Sequence, residues 1–323
     1  MNPTDVAIYG AAGYGGQELL RYLAGHPAFR VTAATSSRHA GKTVESVLPG
    51  LAGFYPDLTF VTPDTPLDDA VQAVFLATPH GASEAIATRL LTARPDLRVV
   101  DLSMDFRPET SGFVYGLVET NRERIRAASR VANPGCFATG ALLALAPLYE
   151  NNALEGPAML SQTTGSSGSG AVEKPGTHHP ERVQDMRAYK VLSHQHEAEI
   201  RAEMARFGSK AEGWMVPQSG PFARGIFTVA HATLARDVDV DTLYRARYGA
   251  ETFVRLRDGT PTLRHVARTN FCDLAVHRRG DRVVVLSTID NLGKGMAGQA
   301  IQNMNLICGF AEDAGLLVPG ANA

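Results

Sequence analysis

The sequence predicts an α/β protein: a doubly wound parallel sheet, followed by a second unit with a sheet of its own. Three observations carry this reading. Apolar strands alternate with helices in the first part of the chain, a glycine-rich turn joins the first strand to the first helix, and after Cys136 the composition shifts toward strand-like runs rich in Val, Ile, Thr and Phe. A length of 323 residues with 44% hydrophobic content is enough for two domains of ordinary size.

Val6–Tyr9 is a short apolar strand that runs straight into G-A-A-G-Y-G-G at 10–16 and then the helix Gln17–Ala24. Glycines at 10, 13 and 16 let the backbone turn tightly and approach a pyrophosphate, whose charge would rest on the helix N-terminus. The spacing G-x-x-G-x-x-G differs by one residue from the dinucleotide fingerprint G-x-G-x-x-G. Its weight comes from the strand before it and the helix after it, against the alternative of an ordinary glycine-rich turn. The second strand, Val31–Thr35, ends in Ser36, Ser37 and Arg38, where an acidic residue would bind a ribose 2′-hydroxyl. Arginine suits a 2′-phosphate, so NADP(H) is the expected cofactor; a solvent-facing charge is the bland alternative. The strand Ala73–Thr78, closed by Pro79, His80 and Gly81, the helix Ala82–Leu91 and the strand Arg98–Leu102, closed by S-M-D-F-R, continue the alternation. Ligands of such a sheet lie beyond the C-terminal strand ends, which here carry Thr78, His80, Ser103 and Arg107.

The stretch V-A-N-P-G-C-F-A-T-G-A-L at 131–142 organises the remainder. Asn133, Pro134 and Gly135 form a turn, and from Phe137 through Ala141–Pro147 the chain reads as an apolar helix. Cys136 therefore opens a helix, where unpaired N–H groups and the macrodipole favour a nucleophilic thiolate. Cys272 and Cys308 lie in strand-like and helical apolar contexts and read as small buried hydrophobes. Three widely spaced cysteines make neither a disulfide framework nor a C-x-x-C metal pair.

Met159–Thr164 reads as a strand, and residues 166–182 as a long loop with no apolar period, of the kind that is usually functional or mobile. His194 and His196 precede the helix Glu197–Phe207. In an extended segment residues two apart face the same side, so both imidazoles could serve one site; a solvent-facing capping pair is the alternative. No third ligand stands at a recognisable spacing, so no metal is expected. Gly225–Leu234, Asp273–His277 and Arg282–Thr288 read as strands of a partly antiparallel sheet, with the helix Asp241–Tyr248 between. The chain closes with a loop and long helix at Asp290–Leu306, whose Gly295, Ala297, Gly298 and Ala300 permit close packing and whose Lys294 is a candidate to face the cofactor.

With 31 basic and 33 acidic residues, no net field draws in nucleic acid or an anionic membrane. No run of about 18 apolar residues occurs, and M-N-P-T-D lacks the basic-then-apolar pattern of a signal, so a cytoplasmic protein is expected.

Taken together, the glycine loop, S-M-D-F-R, Y-G-L-V-E at 115–119, N-P-G-C-F-A-T, H-Q-H and D-N-L-G-K-G-M-A-G-Q-A-I-Q-N-M-N-L resemble the N-acetyl-gamma-glutamyl-phosphate reductase family. The glycine loop is shared with aspartate-semialdehyde and glyceraldehyde-phosphate dehydrogenases. The resemblance implies a Rossmann-type NADP-binding domain at 1–135 completed by a C-terminal helix at 296–323, and an α+β catalytic domain at 136–295 that also makes the interface of a homo-oligomer, dimer or tetramer. It implies NADPH-dependent reduction of a small acyl phosphate through a thioester on Cys136. His196 is the first choice for acid/base and His194 the second. Candidate cofactor contacts are Gly10, Gly13, Tyr14, Gly15, Gly16, Ser36, Arg38, Thr78, Pro79, Asn291 and Lys294; candidate substrate contacts are Arg107, Asn133, Gly165 and Lys190.

Phe137, Ala138 and Val118 replace the family's usual tyrosine and two prolines, and leave the cysteine in place. The loop A-V-E-K-P-G-T-H-H-P-E-R is similar to a sister group whose glutamyl or aminoadipyl phosphate is carried by an acidic amino-group carrier protein. On that reading the loop presents His178, His179 and Arg182 to the carrier. Two further alternatives are an aspartate-semialdehyde dehydrogenase and a non-catalytic NADP-sensing regulator. The sensor would keep the glycine loop and Arg38 without needing the cysteine and the histidine pair.

Overall fold

The computed structural model describes residues 3–208 and 213–320. The chain divides into two units, Met1–Pro134 with Met296–Val318, and Gly135–Gly295 with Pro319–Ala323.

The first unit is built on seven strands: β1 Thr4–Tyr9, β2 Phe29–Thr35, β3 Phe60–Val61, β4 Val71–Leu76, β5 Arg98–Asp101, β6 Val114–Tyr115 and β7 Arg130–Ala132. They lie in the order β3-β2-β1-β4-β5-β7-β6, and every pairing is parallel. The last four residues of both β1 and β4 are buried, as expected where helices cover both faces. The strand order reverses at β1, which lies between β2 and β4, so the glycine loop that follows β1 opens at the topological switch point.

The helix Gly298–Ile307 is buried along its whole length, including Gln299, Gln302, Asn303 and Asn305. Small residues were expected to explain this packing, but the amides matter as well. Gln299 and Asn303 each donate to Gly116 O at 2.9 Å, and Asn305 donates to Ala314 O at 3.0 Å. Buried polar groups persist because they satisfy backbone carbonyls that would otherwise lack a donor.

The second unit contains β8 Leu154–Thr164, β9 Arg187–Ala188, β10 Gly213–Ser219, β11 Ile226–Leu234, β12 Val254–Leu256, β13 Cys272–Arg279 and β14 Arg282–Ile289, in the order β12-β13-β14-β11-β8-β10-β9. The pairings are mixed, parallel for β8/β10 and β12/β13 and antiparallel elsewhere. The helix Cys136–Glu150 packs on this sheet with residues 137–149 all buried, which explains a sequence that is apolar on every side. Pro147 inside that helix has no N–H for Leu143 O, four residues earlier. The Tyr248 hydroxyl supplies the missing donor at 2.6 Å, and the Tyr244 hydroxyl donates to the neighbouring Ala144 O. Elsewhere on the sheet, Trp214 and His231 both lie in register with Met159, and Met159 (50% exposed) and Trp214 (41%) face outward.

The long loop 166–182 is less irregular than its composition predicts. It contains two 3-10 turns, Ser166–Ser169 and Pro175–Thr177, and a helical turn, His179–Arg182. Strand β10, G-W-M-V-P-Q-S, carries Pro217 within it. It forms because β9 pairs only with Gln218 and Ser219, leaving the proline where a missing donor costs little.

Candidate active site

In the first unit the glycine loop hangs from the end of β2. Gly10 N donates to Thr35 Oγ1 at 3.1 Å and Ala11 N to Thr35 O at 2.9 Å. Gly10 has φ +78°, and a Cβ there would lie 2.5 Å from Ala77 O. A Cβ on Gly16 would overlap the backbone of Ala11, and one on Gly15 would lie 2.8 Å from Met296 Sδ. Gly13 is different. A Cβ there would meet only Gly10 O, at an ordinary 3.5 Å, so the protein's own packing does not demand glycine. Gly13 is the N-cap of the helix Tyr14–Leu23 and has no side chain to satisfy the first-turn N–H groups. An uncapped helix start behind a bare backbone fits a pyrophosphate.

Around this loop, Ser36 is buried and donates its N–H to Val61 O at 2.9 Å. Arg38 is exposed and, among the described residues, makes no hydrogen bond or ion pair. The Thr78 and Ser83 hydroxyls bond at 2.7 Å, next to an exposed Pro79. His80 Nδ1 accepts from Met104 N at 3.1 Å. The start of the following helix is held by Asp105 of S-M-D-F-R, which accepts from Gly81 N at 2.8 Å and Ser83 N at 3.0 Å. Sequence reasoning missed Asp105, although an acidic residue following a strand end was the available signal.

Arg107 and Asn133, expected at the substrate, both bind backbone within this unit. Arg107 Nε donates to Asn133 O at 3.0 Å, and Asn133 Nδ2 to Met296 O at 3.1 Å. Burial pushes the Asp101 carboxyl pKa up, against hydrogen bonds from Ser83 and Ser103.

In the second unit Cys136 is the first residue of its helix and is partly exposed. Gly135 precedes it in an ordinary extended conformation, φ −69°, so the glycine is not there to make the turn. A Cβ at 135 would overlap the imidazole of His196, nearest at Nε2. Glycine is needed because this ring packs against the backbone next to the thiol. On the other flank, a Cβ on Gly295 would lie 2.8 Å from Cys136 Cβ.

His194 and His196 do not lie in an extended segment, because the helix starts at Gln195. His194 is its N-cap: Nδ1 accepts from His196 N at 3.2 Å. The two rings nevertheless meet, with centroids 4.7 Å apart, and each presents an edge to Phe137, at 5.3 Å and 6.0 Å. Two further residues went unnoticed in the sequence. Glu199, one helical turn after His196, accepts from Gly135 N at 2.7 Å. Tyr189 packs on His194 at 5.8 Å, and burial raises its phenol pKa, as does the nearby charge of Cys136, against Arg182.

The other expected residues have these places in the second unit. Gly165 is buried, and a Cβ there would lie 2.5 Å from the Ala223 carbonyl. Lys190 is exposed and donates to Gln195 Oε1 at 3.0 Å. Asn291 is buried, accepting from Gly225 N at 2.7 Å and donating to Ser167 Oγ at 3.0 Å. Lys294 is fully buried, with Nζ 5.7 Å from the Phe253 ring centroid. His178 and His179 are exposed, but Arg182 is not the rim residue that its composition implies; it is buried against Ser219 and Gly220. Among the described residues no group of three His, Cys, Asp or Glu side chains is arranged to hold a metal ion. A partly exposed thiol at a helix start, flanked by an imidazole, can attack an electrophilic carbon and have protons moved for it.

Residues 5–128 match the family described as semialdehyde dehydrogenase, NAD binding domain, and residues 136–291 match semialdehyde dehydrogenase, dimerisation domain. The chain is similar to the N-acetyl-gamma-glutamyl-phosphate reductase of Methanocaldococcus jannaschii, 43% identical over 98% of this chain and 99% of that protein. It is similar to that of Azotobacter vinelandii at 41%, over 96% and 97%. Among solved structures it resembles aspartate semialdehyde dehydrogenase II of Vibrio cholerae complexed with ASA, with TM-score 0.77 and 17% identity over 95% and 99% of the two chains. It also resembles the aspartate semialdehyde dehydrogenase of Candida albicans with NADP, with TM-score 0.71 and 15% identity over 94% and 97%. Those two share the fold.

The glycines make a direct test of the loop. Gly13→Ala should leave the melting temperature nearly unchanged while weakening dinucleotide binding about tenfold or more, since only the ligand contests that space. Gly10→Ala should instead cost about 1–3 kcal/mol of stability, from a strained φ and a backbone clash. Thermal melts and cofactor titrations of both variants check the contrast; Gly13→Ala with parental affinity counts against the pyrophosphate assignment.

Proposed function

The chain belongs to the N-acetyl-gamma-glutamyl-phosphate reductase family, and from that premise we propose that it reduces N-acetyl-L-glutamyl 5-phosphate to N-acetyl-L-glutamate 5-semialdehyde and phosphate, with NADPH, in arginine biosynthesis. The observation that carries the reading is the His196 imidazole packed on Gly135, the residue that precedes Cys136. The Cys136 thiolate attacks the acyl carbon, the C–O bond to phosphate breaks, and a thioester remains on the sulfur. Bound NADPH supplies the hydride that reduces it. His196 donates a proton to the oxygen that gains charge and takes it back as the C–S bond breaks and the aldehyde leaves, so the thiolate is regenerated. His194 takes the supporting place, because its Nδ1 already holds the helix start.

Arg38, exposed just after β2 and with no ion pair among the described residues, supports NADPH over NADH. The outward-facing Met159 and Trp214 support a homo-oligomer that buries this part of the sheet. No helix among the described residues is long and apolar enough to cross a membrane, in keeping with a cytoplasmic enzyme. Delivery by a carrier protein is not favoured, because Arg182 is turned inward rather than presented to a partner.

Cys136→Ser should abolish turnover and keep cofactor affinity, since a serine hydroxyl has no thiolate character at neutral pH. The assay runs in reverse, with N-acetylglutamate semialdehyde, phosphate and NADP, and reads absorbance of the reduced nicotinamide. Near-parental turnover by the serine variant would overturn the covalent route, and no turnover by the parent would overturn the substrate.

Arg38→Ala should weaken NADPH by roughly 1.5–3 kcal/mol with little effect on NADH, because only one cofactor carries the 2′-phosphate. Equal losses in the two dissociation constants would assign Arg38 a general role.

Trp214→Glu should shift the solution mass toward the monomer, as a charge is not tolerated in a desolvated interface. Sedimentation at several concentrations checks this; an unchanged mass removes this part of the sheet from the interface.

A further inference from the structure

Arg182 closes the short helix His179–Arg182 and is only 6% exposed. Its Nη1 donates to Ser219 Oγ and its Nη2 to Gly220 O, while Nε is buried with no hydrogen-bond partner. No Asp or Glu among the described residues forms an ion pair with it; the nearby Asp185 is paired with Arg187 at 2.9 Å. Burial lowers the guanidinium pKa, and Arg187 adds to this. A buried cation held only by neutral oxygens is costly, and an anion placed against it would offset that cost.

The position is on the thiol side of the sheet. Ser219 ends β10 and lies in register with Thr164, the last residue of β8. Two residues earlier on the same face of β8, Gln162 donates to the carbonyl of Phe137, next to Cys136, at 3.0 Å. Tyr189 lies within electrostatic reach of both Cys136 and Arg182. Lys190, by contrast, is exposed and bonded to Gln195, and cannot offer a desolvated charge.

We propose that Arg182 holds an oxyanion of the substrate at the thiol site, with Nε–H among the donors that the ligand completes. The carboxylate and the phosphoryl group present the same chemistry to a guanidinium. This rests on the acyl-phosphate reading above, but part of its test does not.

Wild type, Arg182→Lys and Arg182→Met are compared in the reverse assay with semialdehyde and phosphate varied separately. In Arg182→Met the KM of one anionic reactant should rise about tenfold or more, the size of a lost charge-assisted hydrogen bond, with partial recovery in Arg182→Lys. A rise confined to semialdehyde assigns the carboxylate, and one confined to phosphate assigns the phosphoryl group. Independently of turnover, alkylation of Cys136 by anionic iodoacetate is compared with that by neutral iodoacetamide, each corrected for its rate with a free thiol. The ratio should exceed one in the wild type and fall in Arg182→Met. Both KM values within twofold of wild type, or an alkylation ratio of one in the wild type, would overturn the proposal. A wild type inert toward the semialdehyde but with the expected alkylation ratios would fail the substrate reading and leave the anion-binding role standing.

Discussion

Two missing side chains govern the geometry around the thiol. At Gly135 a Cβ would run into the His196 ring, and at Gly295 it would press on Cys136 Cβ from the other flank. Protein interiors have no slack to absorb such overlaps, so these glycines let an imidazole and a turn of backbone close on the first turn of one helix. They are also the residues at which the chain enters and leaves the second unit. Within the first unit, Asn133 and Met296 are joined by a hydrogen bond of 3.1 Å. The backbone at Cys136 is thus held by packing on two flanks as well as by covalent continuity.

The turn that carries Gly295 is itself fixed by charge. Asp290 is fully buried and receives both arms of Arg224, at 3.0 Å and 3.1 Å, and the N–H groups of Leu292 and Gly293, at 2.8 Å and 3.0 Å. A buried pair of this kind adds little net stability, because desolvation offsets most of the Coulombic gain. What it supplies here is a tether: one carboxylate ties the turn at Leu292 and Gly293 to Arg224 and to the N–H of Arg268. Asn291 extends the arrangement by gripping Gly225 N, and so couples the turn to the start of β11. The same economy explains Pro147, whose helix keeps its register because a tyrosine hydroxyl replaces the missing amide.

Local chemistry made much of this legible in the sequence. The glycine loop is readable because tight turning and close approach demand particular residues at short spacing, and the Cys136 helix because a run apolar on all sides has only one place to go. Short strands such as β3, β6 and β9 are not readable, since two residues carry no period and exist only through their neighbours. Arg182 reads as a surface charge in a polar loop, and only the fold turns it inward. Glu199 and Tyr189 sit at unremarkable positions, and their importance lies in what lies across from them. Gly135 was legible as a glycine but not for its reason, which is room for a ring 61 positions away rather than a positive φ.

The proposed preference for His196 over His194 has a basis in their hydrogen bonds. His194 Nδ1 accepts a main-chain N–H, so the neutral ring carries its proton on Nε2. To act as a base, that ring would have to take a proton on Nδ1 and surrender the helix cap, at a cost of about 0.5–2 kcal/mol in every turnover. That is a penalty of roughly 2- to 30-fold in rate. Moreover, the cap and His196 belong to the same helix start, so releasing it would loosen the ring that lies against Gly135. His196 carries no such duty at the helix start, and Glu199, one turn further on, ties the same helix face to Gly135 N. The proposed assignment to His196 thus rests on a difference in duty: a proton moving on His194 Nδ1 breaks the helix cap, and one moving on His196 does not.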